Sequence, residues 1–333
     1  MDFTFGLLLY NQEEYAIETL ESIKYQIIHY GNNVKCNLII NDDASKDNSV
    51  KIVKKWLEYN KKLFDNILFN VNKKNKGTVW GQQFIIDNNR TKYCKIIACD
   101  DVFSSHNLFE KYQNLHSKQI MSFICTELKG HTLMFNEDRI RQFYLNRKEL
   151  SKKHNPLKKM RKGGYFHTPS TIYTYKMYEL GKCQKTNQQF RLFEDDPTWY
   201  AMLKNIDNLN IVFEEDIIVL YRISDYSISN GIDMNNIFYS ELKQLWTLYF
   251  KETFGMEKVY FWFRIHDKLP KFLRFDKYVD KLGKWKRKYL VKKDLSYENF
   301  LEHIKNRIEQ EQNYYNKILA NTKEFLEYTK NQL

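Results

Sequence analysis

The sequence is poor in the residues that cross-link chains or mark their boundaries. Its 333 residues include only 5 cysteines, 4 prolines and 11 glycines. The cysteine count is odd and no Cys-x-x-Cys pair occurs, so neither a disulfide framework nor a structural zinc site is expected. A reducing cytosol fits this cysteine usage best. The scarcity of proline and glycine leaves domain boundaries poorly marked.

The sequence also lacks the common signatures of membrane insertion and nucleotide binding. No apolar run approaches the length of about 18 residues that a membrane span needs. The first residues lack the basic segment of a signal peptide, so we expect a cytoplasmic protein. No Gly-x-Gly-x-x-Gly follows the first apolar run and no Gly-x-x-x-x-Gly-Lys-Ser/Thr occurs. These absences disfavour a Rossmann dinucleotide site and a P-loop.

What the chain does contain is enough apolar material for a core. Hydrophobic residues make up 43% of the sequence and aromatic residues 16%, which argues against disorder. The length suits one large domain with an appendage, or two domains. Lys and Arg number 53 against 41 Asp and Glu, which gives a formal net charge of +12.

Short apolar runs alternate with amphipathic helical patterns over about the first 115 residues. The predicted strands span residues 3–9, 34–40, 67–71 and 95–99. Each is followed by a stretch whose apolar residues recur at helical spacing. Strand–helix units in this order predict an α/β fold with a doubly wound, mostly parallel sheet flanked by helices.

Two of these predicted strands end in pairs of carboxylates, Asp42-Asp43 and Asp100-Asp101. Taken alone, each pair also fits a solvated turn. Ligands of open α/β sheets bind beyond the carboxyl ends of the strands, so the repetition favours a shared site. The first pair offers acceptors for a base or a ribose. The second offers the hard oxygen ligands that suit Mg²⁺ or Mn²⁺ shared with the phosphates of a nucleotide diphosphate.

The motifs and their order resemble GT-A fold glycosyltransferases of the inverting family 2 type. Residues 10–11 (Tyr-Asn) end the first strand, and residues 41–47 (Asn-Asp-Asp-Ala-Ser-Lys-Asp) are similar to that family's Asp-Asp-x-Ser-x-Asp turn. Residues 75–77 (Asn-Lys-Gly) resemble its Asn-x-Gly loop, and residues 99–101 (Cys-Asp-Asp) its metal-binding Asp-x-Asp variant. The resemblance covers residues 3–230 and implies a nucleotide-diphosphate sugar as the donor, with a UDP-sugar as the preferred candidate.

The resemblance also implies roles for individual residues. Asp43 would hold the uracil or other base, Asp100 would contact the ribose or the water shell of the metal, and Asp101 would bind Mn²⁺ or Mg²⁺. The first strand lacks the Thr of the family's usual Pro-Thr-Tyr-Asn, so base contacts there would come from the backbone. The residues assigned to donor binding are Leu8, Tyr10, Asn11, Glu14, Asp43, Lys76, Gly77, Asp100 and Arg222.

A third acidic cluster, Glu194-Asp195-Asp196, precedes a proline and an apolar helical pattern. Acidic residues are common in a first helical turn, since the helix dipole favours negative charge there. The cluster also resembles the family's Glu-Asp motif, whose Asp is the catalytic base. By that resemblance Asp195 takes the proton of the acceptor hydroxyl and Glu194 touches the acceptor, with Glu194 and Asp196 as alternatives for the base.

Two further segments of the second half have weaker signals. Residues 163–171 contain glycines, aromatics and hydroxyls; the family has a comparable loop that closes over the donor sugar, but a simple connection between strands fits as well. Residues 221–229 resemble the family's Tyr-Arg-x-His-x-x-Ser-x-Ser, with Ser224 in place of His. Arg222 is expected to face the diphosphate, or to pair with Glu214 or Glu215.

The C-terminal third differs in character, so we predict a catalytic domain over 1–232 and a helical, basic and aromatic region over 233–333. Residues 264–293 contain twelve Lys and Arg against three Asp, interleaved with aromatics. Such a stretch predicts contact with an anionic membrane surface, although a solvated helix face is the alternative. We expect residues 296–333 to pack on the domain or on a second subunit, and residues 139–162 to form a mobile surface segment.

Three functions remain open from the sequence. The first is an inverting glycosyltransferase that acts on a surface-glycan or lipid-linked acceptor at the cytoplasmic membrane face. The second is a sugar-phosphate nucleotidyltransferase, disfavoured because residues 8–14 contain no Gly-rich basic loop. The third is a non-catalytic basic scaffold for lipid or nucleic acid; no nucleic-acid-binding motif supports a nucleic-acid partner.

Overall fold

A computed structural model describes residues 1–150, 155–223, 232–292 and 294–330, except for the side chains of residues 232–236. The strands are β1 Asp2–Leu9, β2 Lys35–Asp42, β3 Asn66–Val71, β4 Tyr93–Ala98, β5 Val102–Phe103, β6 Gln119–Phe123, β7 Thr126–Lys129, β8 Thr132–Met134, β9 Thr171–Ile172, β10 Asn210–Glu214 and β11 Val219–Arg222. The helices up to the third acidic cluster are α1 Ala16–Tyr30, α2 Ser49–Asn60, α3 Thr78–Asn88, α4 Leu108–Gln113, α5 Glu137–Leu150, α6 Pro156–Met160, α7 Tyr175–Leu180, α8 Cys183–Asn187 and α9 Asp195–Asn205. The later helices are α10 Ile232–Glu252, α11 Gly255–Ile265, α12 Phe275–Lys292 and α13 Leu295–Thr329.

The first four strands form a parallel sheet in the order β3-β2-β1-β4. A second sheet has the order β10-β6-β9, and a third has the order β5-β11-β7-β8. The parallel pairs β10–β6 and β11–β7 are accompanied by antiparallel partners in these two sheets. The predicted α/β fold with a mostly parallel sheet is therefore confirmed.

Strand β1 lies at the centre of the first sheet because almost every one of its side chains is buried. Phe3, Phe5, Leu7 and Leu9 are all buried on the face that packs on α1 and α4. The ring of Phe3 makes edge contacts with Phe5 at 4.8 Å and with Phe109 of α4 at 5.2 Å between centroids. This packing holds β1 in the core, and its carboxyl end at Leu9 leads into the candidate site.

Helix α13 packs back on the N-terminal part of the chain and contributes Ile304, Tyr315 and Ile318 to the core. It contacts α1 directly. Its buried Glu311 accepts hydrogen bonds from the amide of Ser105 at 2.9 Å and from the hydroxyl of the same residue at 2.5 Å. The predicted division into 1–232 and 233–333 stays a prediction, but α13 is joined to the first part by these contacts.

The prediction that residues 139–162 form a mobile surface segment is wrong for the part that the structure describes. Residues 137–150 form helix α5, and residues 156–160 form helix α6. The side chains of Phe143 and Tyr144 are buried in the core. The basic residues misled the prediction: Arg139, Arg147 and Lys148 of α5 are exposed, whereas Arg141 is buried beside the apolar side chains. No helix in the described ranges has the length and hydrophobicity to cross a bilayer.

Candidate active site

A cleft of about 370 Å³ opens at the carboxyl ends of β1 and β4. It brings together most of the residues that the sequence singled out. The predicted residues that line it are Leu8, Tyr10, Asp43, Gly77, Asp100, Asp101, Glu194, Asp195 and Arg222. The three acidic clusters, which lie far apart in sequence, thus converge on one cavity.

Asn11, Glu14 and Lys76 were predicted in the site but are not part of this lining. Asn11 instead supports the turn after β2, because its side-chain oxygen accepts a hydrogen bond from the amide of Lys46 at 2.8 Å. The ammonium of Lys76 lies over the ring of Trp80, 3.5 Å from its centroid. Any contact of these residues with a donor stays a prediction.

The carboxylate of Asp43 organises the loop that follows β3. It accepts hydrogen bonds from the amides of Lys76 at 2.7 Å and Gly77 at 2.8 Å, and from the side-chain amide of Asn72 at 3.1 Å. Gly77 has φ +91°, and a Cβ there would lie 2.4 Å from the carbonyl oxygen of Arg191. Asp43 and Gly77 therefore set the shape of this wall of the cleft.

Asp100 and Asp101 lie just after β4, beyond Cys99; Asp101 is buried and Asp100 is half-buried. Burial raises the pKa of Asp100, and burial together with the neighbouring Asp100 raises the pKa of Asp101 well above its usual range. Oδ1 of Asp101 accepts a hydrogen bond from the amide of Arg222 at 2.9 Å, and its carbonyl accepts one from Thr19 at 2.6 Å. The backbone around Asp101 is thereby fixed.

The Asp100-Asp101 pair fits a divalent cation. Two adjacent carboxylates, one buried and one half-buried, repel each other, and a hard cation relieves that repulsion. Among the described residues, no group of three or more His, Cys, Asp or Glu side chains surrounds a common point. Mg²⁺ and Mn²⁺ are commonly held by one or two carboxylates with substrate phosphates and water in the other positions, which this pair allows.

The guanidinium of Arg222 is enclosed by protein groups. Nη2 contacts the carboxylate of Glu18, and Nη1 donates a hydrogen bond to the carbonyl of Gly130 at 2.8 Å. Nε donates one to the carbonyl of Asp100 at 2.8 Å, and the group lies over the ring of Tyr15, 4.0 Å from its centroid. The expected ion pair with Glu214 or Glu215 is wrong, since Arg222 pairs with Glu18 of α1.

Helix α13 takes part in this arrangement through Tyr315. Its hydroxyl donates a hydrogen bond to Glu18 at 2.6 Å and accepts one from Nη2 of Arg222 at 3.2 Å. Tyr315, Glu18 and Arg222 are each at most 2% exposed. A continuous chain of polar contacts therefore joins α13 to Asp101. The resemblance noted at residues 224–229, including Ser224, lies outside the described residues.

The third acidic cluster begins helix α9. Trp199 donates its indole N–H to the hydroxyl oxygen of Thr168 at 2.9 Å. Burial raises the pKa of Asp195, whereas the Thr168 hydroxyl and the charge of Lys95 lower it. Burial also raises the pKa of Asp196, to about 7, and that of Glu194 well above its usual range.

Lys95 of β4 is a buried cation in the lining of the cleft that the sequence did not single out. Its ammonium donates hydrogen bonds to the carbonyls of Thr168 at 3.1 Å and Thr171 at 2.9 Å. Burial lowers its pKa to about 7, although Asp101 and Asp195 act in the opposite direction. The feature of the sequence that could have identified Lys95 is its position as a single charged residue inside an apolar strand.

The segment over 163–171 lines the cleft with His167, Thr168, Pro169 and Thr171. Nε2 of His167 lies 3.3 Å from the sulfur of Cys125, and burial lowers the pKa of the imidazole to about 3. The segment thus contributes to the site as well as leading into β9. Closure over a donor sugar stays a prediction.

A parallel sheet with an acidic cleft at its carboxyl edge is the arrangement expected of a GT-A fold. The sequence profile described as Glycosyl transferase family 2 matches residues 6–184. The chain belongs to glycosyl transferase family 2.

Two solved structures of S. aureus TarS are similar in fold. S. aureus TarS in complex with UDP-GlcNAc is 13% identical, with a TM-score of 0.53 over 100% of this chain and 92% of that one. Another S. aureus TarS structure gives 13% identity and a TM-score of 0.50 over the same shares. The Pyrobaculum calidifontis mannosyltransferase PcManGT, in complex with GDP-Man and Mn²⁺, gives 15% identity and a TM-score of 0.49 over 72% and 63%. Comparison with curated protein sequences gave no match.

Proposed function

We propose that the protein transfers a sugar from a nucleotide-diphosphate donor to a hydroxyl of a surface-glycan or lipid-linked acceptor. A UDP-sugar is the preferred donor, and the transfer inverts the configuration of the anomeric carbon. The convergence of Asp43, Asp101 and Asp195 on one cleft carries the proposal. Membership of family 2 supports glycosyl transfer. The fold shared with a TarS structure that contains UDP-GlcNAc supports a nucleotide-sugar donor.

Asp101, with Asp100 beside it, is proposed to hold Mn²⁺ or Mg²⁺. A bound cation supplies charge neutralisation for the departing diphosphate. Residues of this chain position the two aspartates: the amide of Arg222 donates a hydrogen bond to the carboxylate of Asp101, and its Nε donates one to the carbonyl of Asp100. The guanidinium nitrogens of Arg222 already contact protein groups, so we propose that this residue positions the two aspartates. We also propose that its positive charge faces the diphosphate.

Asp195 is proposed as the general base. Inverting transfer needs one carboxylate that removes the proton of the acceptor hydroxyl as its oxygen attacks the anomeric carbon. Burial raises the pKa of Asp195, which makes its carboxylate a stronger base in the ionised form, and the Thr168 hydroxyl and Lys95 act against that rise. Glu194, the neighbouring residue in the cleft lining, is proposed to touch the acceptor.

Asp43 is proposed to recognise the base of the nucleotide together with the loop that it holds. The amides of Lys76 and Gly77 occupy part of its carboxylate. Each carboxylate oxygen can accept more than one hydrogen bond, so a base N–H can still reach it. The backbone of Leu8 and Tyr10 would complete this subsite.

A product assay on the purified protein tests the proposal. Release of a nucleoside diphosphate from a UDP-sugar, dependent on Mn²⁺ or Mg²⁺, is the expected result. Pyrophosphate release from a sugar phosphate and a nucleoside triphosphate would instead identify a nucleotidyltransferase. Absence of both activities and of donor binding in a thermal-shift screen would favour a non-catalytic scaffold.

A further inference from the structure

One face of helix α12 packs on the protein, and the other face is exposed to solvent. Its inner face is fixed to the protein: the carboxylate of Asp276 is fully buried and accepts hydrogen bonds from Arg274 at 2.7 and 2.5 Å. Asp280, one turn later, pairs with Arg264 at 2.7 Å. The helix is thus held in a defined orientation, and what its other face presents to solvent is set by the fold.

That other face presents a row of large apolar side chains, which we call the outer stripe. The outer stripe consists of Tyr278, Leu282, Trp285 and Tyr289. The spacing of four, three and four residues puts all of them on one side of an α-helix. Each is between 47% and 64% exposed, and the rings of Trp285 and Tyr289 stack at 5.6 Å. Folding leaves these side chains largely exposed, and a row of large apolar side chains of this kind marks a site of contact with another protein or a membrane.

Lysines surround the outer stripe. At 100° per residue, Lys281, Lys288 and Lys292 project on one side of it and Lys286 on the other. All four are exposed. In the part of the chain that the structure describes, no acidic side chain forms an ion pair with any of them. Their charges are therefore available to an external partner.

We propose that the outer stripe inserts into the headgroup region of an anionic bilayer, with these lysines on the lipid phosphates. A helix lying in the membrane interface buries aromatic and aliphatic side chains at the headgroup boundary while basic residues meet anionic lipid. The upstream turn Lys271–Leu273 adds exposed Phe272 and Leu273 next to Lys271. The exposed apolar surface thus extends beyond α12 itself.

A second copy of this chain is a poorer occupant of the outer stripe. A symmetric contact would place one lysine-rimmed surface against an identical one, and like charges would face each other. A nucleic acid would satisfy the lysines but would leave Leu282 without an apolar partner. An anionic bilayer satisfies both the charge and the apolar surface.

The test is cosedimentation of the full-length protein with vesicles. Vesicles of phosphatidylcholine with phosphatidylglycerol are compared with pure phosphatidylcholine vesicles, without any sugar donor. We expect binding to the anionic vesicles that weakens at high salt. Leu282→Ser/Trp285→Ser and Lys281→Glu/Lys288→Glu should each reduce partitioning by about tenfold or more. Matched controls are Ile28→Ser, another exposed apolar residue, and Lys51→Glu/Lys54→Glu on α2.

The other outcomes overturn the inference. Equal binding by wild type and both α12 variants would remove the outer stripe from the membrane contact. Self-association that is lost in the α12 variants, without vesicle binding by wild type, would identify a second copy as the occupant. Because the assay contains no donor and no acceptor, its result is independent of whether sugar transfer is confirmed.

Discussion

The hydroxyl of Tyr315 donates a hydrogen bond to the carboxylate of Glu18 at 2.6 Å, across a sequence separation of 297 residues. Glu18 in turn pairs with Arg222, whose amide donates to Asp101. The proposed metal ligand is therefore positioned by a helix from the opposite end of the chain. Each link in this chain of contacts can be broken separately.

Removal of the Tyr315 hydroxyl should weaken the metal site without removing a ligand. Tyr315→Phe leaves Glu18 with one partner fewer, and a hydrogen bond to a charged group contributes about 1.5–3 kcal/mol. We expect the concentration of Mn²⁺ needed for half-maximal donor binding to rise about tenfold. Tyr314→Phe is the matched control, because its hydroxyl bonds to the carbonyl of Phe103 at 3.0 Å and not to Glu18. Equal metal requirements in the two variants would limit Tyr315 to a structural role.

Asp101→Ala should abolish metal-dependent donor binding. The change removes the proposed ligand and leaves Asp100 as the only carboxylate of the pair. Calorimetric titration of UDP with and without Mn²⁺ measures the effect, and Asp87→Ala on the outer side of α3 serves as control. If UDP binds Asp101→Ala as tightly as wild type in Mn²⁺, the assignment of Asp101 is wrong.

Asp195→Asn should retain donor binding and lose transfer. The amide has the same shape as the carboxylate but cannot take a proton, so kcat should fall by about 10²–10⁴-fold. Asp196→Asn tests the specificity of the effect, since Asp196 is adjacent and its pKa is raised to about 7. Turnover that survives in Asp195→Asn but not in Asp196→Asn would assign the role of general base to Asp196.

Lys95 should make the stability of the protein depend on pH in the alkaline range. Its pKa in the folded state is about 7, against 10.5 when unfolded. Between these values the unfolded chain binds more protons, so the free energy of unfolding rises with pH, by at most about 1.4 kcal/mol per unit. Below pH 7 Lys95 is charged in the folded protein, so the full free-energy cost of burying that charge is present.

Lys95→Met removes this titration. The stability of wild type relative to Lys95→Met should therefore increase from pH 7 to pH 9 in denaturant titrations. Lys92→Met, at an exposed position just outside β4, should show no such trend. A pH-independent difference between wild type and Lys95→Met would show that Lys95 keeps an ordinary pKa in the fold.

Gly77→Ala should destabilise the donor side of the cleft. The added methyl group would lie 2.4 Å from the carbonyl oxygen of Arg191, in a backbone conformation at φ +91° that side chains rarely adopt. Gly130→Ala is the control, since Gly130 also has positive φ, +57°, but nothing within 4 Å of its Cβ position. We expect Gly77→Ala to lose about 1–3 kcal/mol more stability than the control, together with UDP affinity. A similar loss in both variants would assign the effect to φ alone.

The central strands β1 and β2 could be predicted from the sequence because burial of both faces leaves uninterrupted apolar runs, whereas the edge strand β3 is apolar but largely exposed. The predicted run 3–9 corresponds to β1 Asp2–Leu9, and the run 95–99 overlaps β4 Tyr93–Ala98. The acidic residues were found because they follow these runs at the sheet edge. Helix α5 was missed because its exposed basic residues indicated a mobile surface segment.

The supporting residues could not be predicted because their partners are distant in sequence. No local pattern relates Tyr315 to Glu18. For Arg222, expected to face the diphosphate or to pair with Glu214 or Glu215, the sequence offered only glutamates that are near along the chain as ion-pair partners. Lys95 could have been noticed, because a lysine within an apolar strand needs a buried partner. What it contacts, the carbonyls of Thr168 and Thr171, depends on the tertiary fold.

The position of helix α13 also bears on how the enzyme matures during synthesis. Ribosomes release the chain from its N-terminus, so Glu18, Asp101 and Arg222 emerge well before Tyr315. Until α13 is made and docks, Glu18 and Arg222 lack their tyrosine partner and Ser105 lacks Glu311. A nascent chain should consequently hold its cation weakly, and a prematurely terminated one should be a poor catalyst even with every acidic residue in place.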